Sequence, residues 1–193
     1  MRILLVLSLL AIFFIPQASA VIDPDPDGIG VYFDVNAETV HLSVDPSVVF
    51  EAYVILTNPS ANQIEAFEFL YELVVPPGME GFVFTLNSYF PDCINCVFIF
   101  DDEIVVGLPI PVSLNNPHIL MVQQFLLVAP LEGQFFLGLT SGEYGQLAYL
   151  SEGEMITMHP SSGNPDLPVA MINGEGVVPI ERTTLGSLKA LFR

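Results

Sequence analysis

The chain has 193 residues, and its 22 Asp and Glu outnumber its four Lys and Arg, which gives a formal net charge of −18 at pH 7. No Lys or Arg lies between Arg2 and Arg182, so most of the surface repels phosphate groups, which argues against a nucleic-acid partner and against docking on anionic lipid. The length corresponds to one domain, and the acidity is typical of a protein that stays soluble in a salty exterior or binds divalent cations.

The first twenty residues have the pattern of a secretion signal. Arg2 supplies a short positive region, residues 3–15 form an apolar run, and residues 18–20 supply the small side chains of a cleavage site. The run is too short to span a bilayer comfortably, although an uncleaved anchor helix is the alternative interpretation. We therefore predict a signal peptide over residues 1–20 and an exported protein, periplasmic or extracellular, with no stable membrane insertion after cleavage.

An acidic segment opens the predicted mature chain. Its spacing, D-x-D-x-D-G, matches the start of a calcium loop, in which alternate carboxylates converge on the ion and the glycine permits a sharp turn. A further aspartate falls where such loops carry a bidentate Glu. Two prolines stiffen the segment, and residues 29–35 favour a strand instead of the flanking helix of an EF-hand. Two hypotheses follow, a solvated acidic tail and a calcium site formed by Asp23, Asp25, Asp27 and Asp34.

Residues 48–75 carry the clearest strand pattern. Residues 49–57 are rich in β-branched and aromatic side chains, and residues 58–62 are turn formers. The next segment alternates, with aromatic and leucine side chains on one face and glutamates on the other, which predicts one buried and one solvated face. Ala66 is out of phase with this alternation, so we expect a bulge near it. The whole stretch predicts a pair of long strands joined by a turn.

Shorter strand patterns, separated by turn signals, cover much of the remaining chain. An acidic turn at residues 101–103 predicts a hairpin between residues 97–100 and 104–108, and residues 119–129 are expected to pair with residues 134–139. The other strand candidates are residues 29–35, 39–44, 81–87, 146–150, 155–159 and 169–172. About ten strands at this spacing predict an all-β fold, an antiparallel β-sandwich of the jelly-roll or Ig-like kind.

Two cysteines form a C-x-x-C segment, at Cys93 and Cys96. In an exported chain with no second cysteine pair, a local disulfide is the expected role, and a redox motif or half of a zinc site is the alternative. Closing so short a loop contributes only about 2 kcal/mol, so this bond would shape a loop without holding the fold together.

The last residues carry the only helical pattern. We place the sandwich in residues 21–177 and a C-terminal tail in residues 178–193. Within the tail, leucine and phenylalanine side chains share one face, a threonine can cap the start, and Lys189 and Arg193 suit the C-terminal end of a helix dipole. A short amphipathic helix that docks on the acidic sandwich is expected, and a sorting or attachment signal is the alternative.

The sequence contains none of the common catalytic signatures. It has no G-x-S-x-G, H-E-x-x-H, phosphate-binding loop or dinucleotide motif, and its three His residues lie in unrelated contexts. With 22 acidic residues, some carboxylate pair at glycosidase spacing is expected by chance and is no evidence of activity. We therefore predict that the chain is not an enzyme, and that it has no cofactor apart from the calcium of the aspartate hypothesis.

Four segments together resemble the cohesin family of jelly-roll sandwiches. They comprise a strand that ends at an Asn, an aromatic-rich strand and a late hydrophobic pair, at residues 50–58, 64–73, 120–128 and 134–139. The resemblance implies a sandwich fold; cohesins bind dockerin modules through a sheet face, and similar sandwiches bind polysaccharide. No dockerin-contacting signature matches residue by residue, so the resemblance extends to the fold and not to a site. The chain, including residues 28–34 and 178–193, also resembles uncharacterised exported proteins of environmental bacteria, which implies no activity.

Three functional hypotheses follow. The first is a non-catalytic binding or structural module of the cell exterior that engages a protein partner through a sheet face or edge. The second is a carbohydrate-binding module, with or without calcium, whose sign would be a row of exposed aromatic side chains on one sheet; the chain lacks Trp but has six Tyr and 15 Phe. The third is a secreted hydrolase, which would need two carboxylates, or a His and a nucleophile, converging in a pocket.

Overall fold

The computed structural model describes residues 25–93, 97–100, 102–141 and 145–174. The predicted signal peptide, Asp23, Cys96 and the predicted C-terminal helix lie outside these residues. The described chain is mostly β-structure, with one 3-10 turn at Glu80–Phe82. Its strands are β1 Gly28–Tyr32, β2 His41–Leu42, β3 Val49–Thr57, β4 Gln63–Val74, β5 Val83–Tyr89, β6 Val97–Phe100, β7 Glu103–Ser113, β8 His118–Leu127, β9 Gly133–Gly138, β10 Ala148–Ser151, β11 Glu154–Thr157, β12 His159–Pro160 and β13 Ala170–Ile172.

These strands form two sheets that pack face to face, so the expected β-sandwich is confirmed. One sheet has five strands in the order β12-β1-β3-β8-β5. The other has the order β11-β10-β4-β9-β13-β2, with β7 paired to β4 and β6 paired to β7. The prediction of purely antiparallel sheets is wrong in two places, because β1 pairs with β12 and β13 pairs with β2 in parallel. Both parallel pairs involve a two-residue strand at a sheet edge, and the described residues contain more strands than the ten or so predicted.

The two long strands predicted within residues 48–75 are present as β3 and β4. The predicted bulge is also present, because the register of β4 against β7 shifts between Ile64 and Ala66. The two strands do not pair with each other, however: β3 pairs with β1 and β8, whereas β4 pairs with β7, β9 and β10. Residues 58–62 carry the chain across the roughly 10 Å between the two sheets, so this segment joins the layers instead of closing a hairpin.

The two other predicted pairings have opposite outcomes. The hairpin around residues 101–103 is confirmed by the antiparallel pairing of β6 with β7. The pairing of residues 119–129 with residues 134–139 is wrong, because β8 lies in the five-stranded sheet and β9 in the eight-stranded sheet. The hydrophobic side chains of β8 and β9 meet across the core instead, where the rings of Phe125 and Phe135 pack edge to face with centroids 5.7 Å apart.

Aromatic side chains fill the space between the sheets. Phe33 packs against Phe50 and Phe135 with ring centroids 6.3 and 6.0 Å apart, and Phe50 stacks on Phe125 at 5.6 Å. Fully buried aliphatic side chains surround these rings, among them Ile29, Val54, Leu56, Met121, Leu127 and Leu137. Because full burial of each such side chain contributes roughly 1.5–3 kcal/mol, this core is the main source of stability. The outward residues of the same strands remain available for contacts with other molecules.

Candidate interaction face

The outer side of the five-stranded sheet presents a face formed by three neighbouring strands. Strand β8 lies between β3 and β5, and its register aligns the outward residues of the three strands in rows. The rows are Tyr53–Val122–Tyr89, Glu51–Gln124–Asn87 and Val49–Leu126–Phe84. These nine side chains are named the interaction face below.

Strand alternation sets the direction of these side chains. On β3, Phe50, Ala52 and Val54 are buried in the core, so the residues between them point away from it. On β5, the register shifts between Thr85 and Asn87, and this bulge places both Phe84 and Asn87 on the outer side. The interaction face therefore depends on one regular strand and one irregular strand.

The first and third rows are largely apolar, and three of their side chains are well exposed although Val122 is buried between its neighbours. Val49 is 52% exposed, Phe84 is 48% exposed and Tyr89 is 43% exposed. Because neighbouring strands are about 4.8 Å apart, the backbones of Tyr53 and Tyr89, on either side of β8, are separated by about 10 Å. Apolar side chains grouped in this way beside polar ones are typical of a binding surface.

Glu51 fixes the geometry of the middle row. The Tyr53 hydroxyl donates to Glu51 Oε2, and Gln124 Nε2 donates to Glu51 Oε1 at 2.8 Å. The bond from Tyr53, followed by that from Gln124, holds the pKa of the Glu51 carboxyl below its usual value against a smaller effect of burial. The same bond to Glu51, with desolvation and the carboxylate charge, raises the pKa of Tyr53 to about 12. The interaction face thus presents an oriented carboxylate between two apolar rows, which suits a Lys or Arg set among apolar side chains.

A loop covers the neighbouring part of the same sheet. Residues 33–40 connect β1 to β2, and Ala37 and Val40 of this loop pack on Tyr32 and Ile55. Ile55 is fully buried and Tyr32 is nearly so, although both lie on the outer side of their strands. The interaction face is therefore limited to the part of the sheet that this loop leaves uncovered.

The carboxylate of Asp34 holds this loop in shape. It accepts hydrogen bonds from the backbone N–H groups of Asn36 at 2.8 Å, Glu38 at 3.2 Å and Thr39 at 2.6 Å. Partial burial acts to raise the pKa of Asp34, but the bonds from the Thr39 side chain and from the three amides outweigh it and keep this pKa below its usual value. The folded protein therefore favours the ionised form of the Asp34 side chain over the protonated form.

The substitution Asp34→Asn is expected to lower the free energy of unfolding by roughly 1–2 kcal/mol at neutral pH, because the loop amides lose a charged acceptor. Since the folded-state pKa of Asp34 lies below the unfolded value of about 3.9, its contribution is complete above that value and is lost as the pH falls through the folded-state pKa. Urea unfolding from about pH 7 to about pH 2.5 should show a difference between wild type and variant that shrinks below about pH 4. A difference that stays constant to the lowest pH, or that Glu38→Gln in the same loop reproduces, would contradict this role.

The aspartates of the calcium hypothesis lie in different environments. Asp25 is exposed, whereas Asp27 is only 7% exposed and its Oδ1 accepts a hydrogen bond from the Tyr149 hydroxyl at 2.6 Å. Asp34 is engaged by the loop amides described above. Among the described residues, no group of three or more His, Cys, Asp or Glu side chains could hold a metal ion. Because Asp23 lies outside these residues, the four-aspartate calcium site stays a prediction.

The segment that follows β5 contains Cys93 and is held close to the start of β8. His118 is buried, and its Nε2 lies 2.9 Å from Asp92 Oδ2, in a contact poorly aligned for a hydrogen bond. Burial lowers the pKa of His118 more than the charge of Asp92 and its contact raise it, which favours the neutral imidazole. Its Nδ1 accepts the N–H of Asn115 at 3.4 Å, which indicates a structural contact. The Cys93–Cys96 disulfide stays a prediction because Cys96 lies outside the described residues.

Sequence interpretation identified the three strands of the interaction face but not the face itself. The alternation of Val49, Glu51 and Tyr53 with buried residues is visible in the sequence and could have indicated an outward carboxylate between two apolar side chains. Their alignment with β5 and β8 depends on pairing register and on two bulges, which no short-range pattern specifies.

No family model and no curated protein matches the chain, but solved cohesin modules have a similar fold. The sixth cohesin of scaffoldin B from Acetivibrio cellulolyticus, solved with a Cel5 dockerin mutant, superposes with a TM-score of 0.50 at 10% identity, covering 78% of this chain and 100% of that chain. A type I cohesin–dockerin complex from Clostridium thermocellum gives 0.47 at 10% identity, covering 77% and 96%. The chain therefore has the cohesin-like β-sandwich fold that its residue pattern resembles.

In the part of the chain that the structure describes, no helix is long and apolar enough to cross a membrane.

Proposed function

We propose that this chain is a non-catalytic binding module of the cell exterior that engages a protein partner through the interaction face. The observation that carries the proposal is the arrangement of two apolar rows, with Val49, Phe84 and Tyr89 well exposed, on either side of the oriented Glu51 carboxylate. A flat, partly apolar sheet face of this kind provides the contact area that protein recognition needs. The cohesin-like fold supports the same class of function, since the Acetivibrio cohesin of similar fold is solved in complex with a dockerin.

The chemistry of the interaction face specifies what the partner presents. Exposed Tyr89 and Phe84 favour apolar side chains, and Glu51 between their rows favours a Lys or Arg. The formal charge of −18 adds a long-range attraction for basic proteins that weakens as salt is added. A dockerin module with a basic and apolar surface is therefore the first class of partner to test.

We expect Phe84→Ala and Tyr89→Ala each to weaken binding to such a dockerin roughly tenfold or more, because each removes an exposed aromatic side chain from the interface. Both side chains lie on edge strand β5 and are about half exposed, so their truncation should leave the fold intact. Biolayer interferometry of immobilised protein against a panel of dockerins measures this effect. The control is Met155→Ala, a similarly exposed apolar side chain on β11, the terminal strand of the other sheet.

Each outcome of this binding experiment is informative. If no dockerin in the panel binds, dockerins are removed as the partner class. If a dockerin binds wild type and both β5 variants equally well, or if Met155→Ala weakens binding as much, the interaction face is not the binding surface.

A carbohydrate ligand is the second candidate for the same face, favoured by a specific observation. Tyr53 and Tyr89 flank Val122, and Phe84 lies on the same side of the sheet, which gives the row of aromatic side chains expected of a carbohydrate-binding module. Affinity electrophoresis through gels that contain soluble polysaccharides, in calcium and in EDTA, distinguishes this candidate from the first. Retardation that Tyr89→Ala abolishes would support a glycan, and its loss in EDTA would support the calcium hypothesis.

A further inference from the structure

We infer that a cleft between the two sheets, separate from the interaction face, binds a neutral polyhydroxylated molecule about the size of one sugar ring. The cleft lies on the inner side of edge strand β5, is open to solvent, and has a volume of about 250 Å³. Strands β4 and β7 form one wall, and β5 and β8 form the other. The inward side chains of β5 and β8 line it, whereas the outward ones form the interaction face.

Two polar atoms of the cleft lack a hydrogen-bond partner among the described residues, Tyr71 Oη and Gln123 Oε1. Tyr71 is only 6% exposed, and both atoms are shielded from solvent. An unpaired buried polar group costs about 1–3 kcal/mol, and native proteins contain few of them. Two such atoms, contributed by opposite sheets to the lining of one cleft, are the observation on which the inference of a polar ligand rests.

The two atoms need different hydrogen-bond partners, an acceptor for the Tyr71 hydroxyl and a donor for the Gln123 oxygen. Burial raises the pKa of Tyr71 well above its usual value of 10, so its hydroxyl stays protonated and can donate. The amide oxygen of Gln123 needs a donor. Hydroxyl groups of a ligand meet both needs, because a hydroxyl can accept from Tyr71 and a hydroxyl can donate to Gln123. An ammonium group cannot accept a hydrogen bond, so it would leave the Tyr71 donor unpaired.

The remaining side chains of the cleft restrict the class of ligand further. Glu80 and Asp102 are exposed residues of its lining, so their charges oppose an anionic ligand while their oxygens can accept bonds from additional hydroxyl groups. The apolar lining suits the C–H surface of a small ring, and it is formed by Leu73, Val75, Val83, Ile104 and Phe125.

Movement of side chains in the cleft lining gives the ligand access to the two shielded atoms. The terminal torsion of Gln is broad, so the amide of Gln123 can turn its oxygen toward the cleft at little cost. The Tyr71 oxygen becomes accessible only when neighbouring side chains move, after which its hydrogen can rotate toward the ligand. Val83 and Thr85, which belong to an edge strand, are the lining residues of the cleft that can move outward most readily.

Saturation-transfer NMR with glucose, galactose, xylose and glycerol tests this inference, with glucuronate as the anionic probe. Wild type should bind at least one neutral probe, and glucuronate should bind more weakly than glucose. The substitution Tyr71→Phe removes only the unpaired hydroxyl, and Gln123→Met replaces the amide with an apolar group of similar length, so each should weaken binding about tenfold. The control Gln63→Met makes the same change as Gln123→Met at a partly buried position of β4 outside both candidate sites, and it should leave sugar binding unchanged.

Folding of the variants is checked independently of the ligand. Without sugar, Tyr71→Phe should be at least as stable to urea as wild type, because it removes an unpaired buried hydroxyl. The inference is overturned if no neutral probe binds at millimolar concentration, if glucuronate binds as well as glucose, or if Tyr71→Phe and Gln123→Met bind like wild type. Dockerin binding by the interaction face is measured separately, so either proposal can fail without the other.

Discussion

Replacing Phe135 with alanine is expected to lower the free energy of unfolding by about 3–5 kcal/mol. Phe135 is fully buried at the centre of the sandwich, and its ring contacts those of Phe33, Tyr71 and Phe125, with centroids 6.0, 5.7 and 5.7 Å away. Tyr71 and Phe125 belong to different sheets, so the cavity left by the substitution would lie between the two layers. Movement of one strand could not close it. Urea unfolding monitored by far-UV circular dichroism measures the loss.

The neighbouring residue provides a matched control. Phe136 lies on the same strand with its side chain on the other side of the sheet, and it is only partly buried. The substitution Phe136→Ala makes the same chemical change outside the core and should cost clearly less. If it costs as much as Phe135→Ala, the sandwich core is not centred on these rings.

The sequence indicated local structure more reliably than pairing. The aromatic and β-branched composition of residues 49–57 was sufficient to place β3, and the phase change at Ala66 was sufficient to place a bulge in β4. Each feature depends on neighbours within a few residues. Whether β3 pairs with β4 or crosses to the other sheet depends on contacts far along the chain, such as those between β3 and β8. A turn-rich segment is compatible with either path, so hairpins were expected where the chain changes layers.

The same distinction applies to the two candidate sites. The interaction face requires Glu51 to lie opposite Gln124, and the cleft requires Tyr71 and Gln123, from different sheets, to line the same space. The glutamine pair on β8 thus supplies one amide to each site, Gln124 outward and Gln123 inward. The sequence does show a Gln-Gln dipeptide within a mostly apolar strand. Because neighbouring residues of a strand point to opposite faces, this dipeptide is a local indication that both faces of β8 carry a polar side chain.

Asp27 shows how a sequence motif can have a different structural role. Its spacing suggested a calcium loop, but its Oδ1 accepts bonds from the Tyr149 hydroxyl at 2.6 Å and from the Ser60 N–H at 2.8 Å. Tyr149 belongs to β10 of the eight-stranded sheet, Ser60 to the segment that crosses between sheets, and Asp27 immediately precedes β1 of the five-stranded sheet. The N–H of Ala61 also donates to the Tyr149 hydroxyl, at 3.3 Å. This buried group of hydrogen bonds therefore joins the two sheets at one end of the sandwich.

We expect Asp27→Ala to lower the free energy of unfolding by about 3 kcal/mol, because the Tyr149 hydroxyl and the Ser60 N–H lose a charged acceptor in a buried site. Part of this cost is conformational, since Asp27 has φ of 60° and alanine tolerates this left-handed conformation less well than Asp or Asn. Asp27→Asn keeps both the conformation and an acceptor oxygen, so it should be clearly milder than Asp27→Ala. Tyr149→Phe, which removes one hydroxyl, should cost about 1–2 kcal/mol.

A double-mutant cycle separates the contact between these two side chains from their other effects. Asp27→Ala combined with Tyr149→Phe should cost less than the sum of the single substitutions, by about 1 kcal/mol, because each single variant already breaks the shared hydrogen bond. Asp166→Ala, at an exposed surface aspartate, is the control and should change stability by less than about 0.5 kcal/mol. Additive effects would mean that the hydrogen bond between Asp27 and Tyr149 does not contribute to stability. A measured coupling would instead show that Asp27 stabilises the fold that carries both candidate sites.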